Sequence, residues 1–82
     1  MSHHNQKRIT EKDKKIYGAL YKLYEESQSG VGPSQIGISL GRENYDASSY
    51  CNLSLKKLIE FQLVKKLPEG KYIPSNMDIK EI

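Results

Sequence analysis

Leu55-Lys56-Lys57-Leu58-Ile59-Glu60-Phe61-Gln62-Leu63-Val64, followed at once by Lys65-Lys66-Leu67-Pro68-Glu69-Gly70-Lys71-Tyr72-Ile73, changes its hydropathy period halfway along. Up to Phe61 the apolar residues Leu55, Leu58 and Ile59 recur at spacings of three and four, which puts them on one stripe of a helix. From Leu63 to Leu67 and from Lys71 to Ile73 the residues suit two short antiparallel strands. Between them Pro68-Glu69-Gly70 supplies the turn, because proline presets its φ and glycine tolerates a positive one. The stretch therefore reads as a helix that stops, becomes a strand and folds back on itself.

Working toward the N-terminus, the same helix reaches back to Asp46 or Ser48, either of which can cap it through a side-chain oxygen. Cys51 joins Leu55, Leu58 and Ile59 on the core stripe. Ser49, Leu53, Lys56 and Glu60 fall opposite, with Tyr50, Asn52 and Lys57 on the flanks. Arg42-Glu43-Asn44-Tyr45-Asp46 is a polar turn. Before it, Pro33 to Gly41 reads as a short second helix with Ile36 and Leu40 one turn apart and Gly41 as its stop. Gly37 inside that helix costs about 1 kcal/mol relative to alanine, so the close approach of a crossing helix is expected there. Ser29-Gly30-Val31-Gly32-Pro33 is a break, from which Val31 is expected to pair weakly with the hairpin. The first helix runs from a Thr10 cap to about Ser27, and Ile16, Leu20, Leu23 and Tyr24 form its buried stripe. Tyr17, Tyr21 and Tyr24 widen that stripe, as rings draped over the core edge or as a homodimer face.

Size and composition point to one small domain. Of 82 residues, 37% are apolar and 28% charged, within the globular range. A basic flexible N-terminus is expected over residues 1–9, a folded domain over 10–74 and a tail over 75–82. No apolar run approaches the roughly 20 residues that span a bilayer, and the polar start Met1-Ser2-His3-His4 is unlike a signal peptide. With a lone cysteine, Cys51, no intrachain disulfide can form, so the expected location is the cytoplasm. The net charge of +3 permits an anionic partner without requiring one. Its distribution is more telling: Lys7, Arg8, Lys12, Lys14 and Lys15 lead the chain, and Lys65, Lys66 and Lys71 mark the hairpin.

Taken together, these residues resemble the winged helix-turn-helix DNA-binding domains of bacterial and archaeal transcription regulators, over about Thr10 to Pro74. Ser34 to Gly41 looks like the positioning helix, and Cys51 to Val64 looks like the recognition helix running into the first wing strand. The resemblance implies a mainly α fold with a small β-hairpin (α+β), the third of three helices entering the major groove and the hairpin resting on the backbone. Three features depart from the family pattern. Gln62 stands where the family usually has glycine in a left-handed helix ending. The connection after Leu40 is longer than a minimal turn. No arginine follows Arg42, so the commonest bidentate reader of guanine is missing.

Under that resemblance Ser48, Ser49, Tyr50 and Asn52 supply hydroxyl and amide contacts, with Asn52 the best partner for adenine. Lys56, Lys71 and Lys65 or Lys66 hold phosphates, and Tyr72 lies along a sugar. Leu53 either touches thymine methyl groups or marks a face that meets protein. The alternative is therefore a winged-helix interaction module that binds its own copy through Tyr17, Tyr21 and Tyr24 or a partner through the third helix. Favouring it, Asp46 and Glu60 cancel Lys56 and Lys57. No enzymatic activity, catalytic residue, cofactor or metal ligand is expected. Glu25 and Glu26 are consecutive and point apart, Gly30-Val31-Gly32 lacks the Gly-Lys-Ser/Thr ending of a phosphate loop, and Cys51 sits on an apolar stripe.

Overall fold

Thr10 opens the first helix with a reciprocal cap. In the computed structural model, which describes residues 8–75, its hydroxyl accepts the Asp13 N–H at 3.2 Å while the Asp13 carboxylate accepts the Thr10 N–H at 2.9 Å. Two orphan donors of the helix start are thereby satisfied. Helix α1 spans Glu11–Ser27 and ends at Gln28, which takes the left-handed conformation with φ 57°. The basic start and the tail expected at the two ends, with His3 and His4, lie largely outside the described residues.

Helix α2 (Pro33–Ser39) begins with proline at its first position, where no N–H is needed, and the Gln35 side chain accepts the Gly32 N–H at 2.8 Å. Helix α3 (Asn44–Glu60) starts earlier than the expected Asp46 or Ser48, and no side chain caps it. Packing explains the difference. Ala47 is fully buried beneath α2, and a Cβ added to Gly37 would lie 2.6 Å from the Ala47 Cα. This contact fixes the first turn of α3 without help from a cap, and it is the close crossing that Gly37 required. Asp46, released from capping, accepts from the Arg42 guanidinium at 2.6 Å.

At its far end α3 passes through Phe61 into Gln62, whose φ of 65° is left-handed as the glycine pattern implied. The Leu63 N–H then reaches back to the Leu58 carbonyl at 2.9 Å, a capping bond that such a reversal permits. Strands β1 (Val64–Lys66) and β2 (Tyr72–Pro74) pair antiparallel with Val64 opposite Pro74, Lys65 opposite Ile73 and Lys66 opposite Tyr72. β1 is shorter than the expected Leu63 to Leu67 and β2 lies one residue later than the expected Lys71 to Ile73, although the Leu67 N–H still bonds the Lys71 carbonyl at 2.7 Å. Val31 adds a one-residue third member by exchanging hydrogen bonds of 2.9 and 2.8 Å with Tyr72.

Three helices and a hairpin thus enclose one core, an α+β arrangement that fits a winged helix. It draws on Ile16, Tyr17 and Leu20 of α1, Ile36 of α2 and Cys51, Leu55 and Leu58 of α3, with Val31, Leu63, Val64 and Tyr72 closing one end. Tyr17 departs from the expected row of rings at the core edge or on a homodimer face. It is 1% exposed and packs inside, leaving only Tyr21 and Tyr24 half-buried at the edge. Cys51 is fully buried, and burial pushes its thiol pKa up against a smaller opposing pull from Lys12.

Candidate nucleic-acid interface

Helix α3 buries Cys51, Leu55 and Leu58, so its period turns Ser49, Asn52, Leu53 and Lys56 outward, and all four are exposed. Where α3 meets the hairpin, a groove of about 420 Å³ is lined by Asn52, Lys56 and Ile59 from the helix and by Lys66 and Tyr72 from the strands. Lys66 and Tyr72 are direct cross-strand partners, which is why they share this wall. The groove gathers four of the residues singled out from the sequence: an amide, two ammonium groups and a phenol. Tyr72 is 8% exposed and forms part of the wall rather than lying open for a sugar to rest along it.

The remaining candidates are placed differently. Lys65, one residue along β1, points to the opposite face of the pleat from Lys66. Lys71 is exposed beside the turn, and Ser48 is half-buried. Ser49 donates to the Asp46 carbonyl of its own helix at 3.2 Å. Tyr50, expected as a base contact, has its ring flanked by two cations: the Lys12 ammonium lies 4.3 Å and the Arg42 guanidinium 4.4 Å from its centroid. Cations attracted to the ring quadrupole hold it as an internal clamp joining α1, the α2–α3 connection and α3.

Lys57 has a partner that sequence reading did not find. Its ammonium donates to the Asp13 carboxylate at 2.8 Å and to the Arg8 carbonyl at 3.0 Å, and the Ser54 hydroxyl donates to the other Asp13 oxygen at 2.6 Å. Burial of Asp13 opposes its ionisation, but the bonds from Lys57, Ser54 and Thr10 prevail and lower its pKa to about 2. The partners lie 41 and 44 residues from Asp13, so no local pattern announces them. The only available sign was Ser54 falling beside the apolar stripe of α3.

Charge on this side of the molecule is consequently uneven. Lys57 is neutralised, whereas Lys56, Lys65, Lys66 and Lys71 make no ion pair among the described residues. A shallower depression of about 280 Å³ beside the groove adds Leu53 and Glu60 to Lys56 and Lys57, and Leu53 itself is 77% exposed. Among the described residues no group of three His, Cys, Asp or Glu side chains could hold a metal ion, and no helix is long and apolar enough to cross a membrane. No family model matches the chain, and no curated protein or solved structure matches it.

Proposed function

We propose that the protein is a small winged-helix DNA-binding protein, a transcriptional regulator that presents α3 to the major groove of a duplex and lays the hairpin on the flanking backbone. The observation that carries this reading is the groove between α3 and the hairpin, where Asn52, Lys56 and Lys66 converge with no ion pair or side-chain hydrogen bond among the described residues. An amide can bond an adenine edge bidentately, while unpaired ammonium groups on both sides can take phosphates of the same duplex. Leu53, next to Asn52, suits a thymine methyl group.

Fluorescence anisotropy with random and selected duplexes tests it. With phosphates held by Lys56, Lys66 and Lys71, log affinity should fall with log salt at a slope of about −3. Lys56→Ala should weaken every duplex alike and flatten the slope by about one. Asn52→Ala should instead cost about 1–3 kcal/mol of discrimination at a single base pair.

One observation favours a second reading, an interaction module that docks protein on α3: Tyr45 and Leu53 are 87% and 77% exposed on that helix. Absence of duplex binding at about 100 µM in low salt, the weak end of non-specific affinity, together with loss of a protein complex in Leu53→Asp, would establish it instead.

A further inference from the structure

The exposed row of α3 has two flanks, and the hairpin stands on only one of them. Asn52 and Ile59 share their side of the helix with Lys66 and Tyr72 of the strands. Helical period puts Tyr50 and Lys57 on the other side, and there the start of the domain lies against α3. The Lys57 ammonium donates to the Arg8 carbonyl at 3.0 Å, and the Lys12 ammonium, in the first turn of α1, sits 4.3 Å from the centroid of the Tyr50 ring. The bonds of Lys57 to Arg8 and to Asp13 together fix the position of Arg8 beside α3.

Arg8 and Lys12 are both exposed, and neither makes an ion pair with another described residue. Lys57 engages only the backbone of Arg8, so the guanidinium is not consumed by that bond. Lys12 turns one side of its ammonium to the ring, and an ammonium carries further donors beyond that one. Arg42, the other cation at this ring, is already paired with Asp46. A helix about 10–12 Å across, seated in a major groove about 12 Å wide, has a phosphate backbone along each of its sides. The hairpin lysines can serve one strand of the duplex, and the other strand falls to cations on the far flank.

Building on the DNA-binding reading, we propose that Arg8 and Lys12 form a second phosphate-contacting edge, which holds the strand of the duplex opposite the one held by the hairpin. The arginine that α3 lacks is supplied from the segment before α1, where its planar fork suits a phosphate. Lys57 then has a positioning role: paired with Asp13, it spends its charge inside the protein and sets Arg8 at the edge of the groove-facing row.

Anisotropy titrations of the full chain across a salt series test the proposal, with circular dichroism melts to show that each variant folds. Lys56, Lys66 and Lys71 alone give a slope of about −3, whereas two further contacts steepen it to between about −4 and −5. Arg8→Gln keeps the backbone bond to Lys57 and removes only the charge. It should weaken every duplex by about tenfold at low salt and flatten the slope by about one, while Arg8→Lys should keep the wild-type slope. Lys12→Gln should flatten it by a similar amount. On the selected duplex, phosphate ethylation interference should lose signals from one strand in Arg8→Gln and from the other in Lys66→Ala. A protein weakened by Lys56→Ala but not by Arg8→Gln, or one in which Arg8→Gln and Lys66→Ala lose signals from the same strand, overturns the second edge and leaves the DNA-binding reading standing. A wild type that binds no duplex overturns both.

Discussion

Gln62 adopts a φ of 65° that an L side chain tolerates poorly, and its neighbours leave it no alternative. The chain must reverse between Glu60, the last residue of α3, and Val64, the first of β1. Glycine enters that region without a Cβ penalty, so Gln62→Gly should stabilise the protein by up to about 1 kcal/mol, less the extra entropy it gives the unfolded chain. Urea midpoints at constant slope measure the change, and a lower midpoint would show that the side chain contributes contacts outweighing the strain. This residue was legible because a family pattern set glycine beside it. Asp13 was only half legible: the cap with Thr10 is three residues long and local, while Ser54 and Lys57 reach it only after folding. Tyr17 misled for a related reason. Spacing placed it beside the apolar stripe of α1, but only the packed neighbours decide how wide that stripe becomes.

Between elements, the crossing of α2 over α3 depends on Gly37. Gly37→Ala puts a methyl group 2.6 Å from the Ala47 Cα, where backbone rather than a flexible side chain must move. A loss of about 2 kcal/mol or more is expected, read from thermal or urea unfolding; an unchanged midpoint would mean that α2 slides without cost. The need for such a crossing was visible in the sequence as an unexplained glycine. The start of α3 was not, because Ala47 fixes it by packing while the visible signals, Asp46 and Ser48, concern capping. Of the candidate site, the exposed row Ser49, Asn52, Leu53 and Lys56 followed from helical period alone. That Lys66 and Tyr72 face Asn52 required the strand register, and the clamp on Tyr50 required cations from two other segments.

For the whole molecule, the Asp13 network fastens the beginning of the domain to its third helix and sets how folding responds to acid. The folded pKa of Asp13, about 2, lies below its ordinary value of 3.8. The unfolded chain therefore takes up this proton first as pH falls, and the stabilisation, complete above about pH 5, drains away through pH 4 toward pH 2. The loss should be about 2 kcal/mol, seen as a falling urea midpoint. Asp13→Asn should already be destabilised at neutral pH and lack most of that acid step; an unchanged profile would assign the step to other carboxylates. The hairpin has an equally global consequence, for how the molecule behaves when concentrated. A small sheet offers two unpaired edges on which foreign chains can nucleate cross-molecular β-structure. Here β2 is shielded at Tyr72 by Val31 and carries Pro74, which has no N–H to offer a newcomer. The other edge, β1, is three residues long and two of them are lysines, too short and too charged to template a growing fibril.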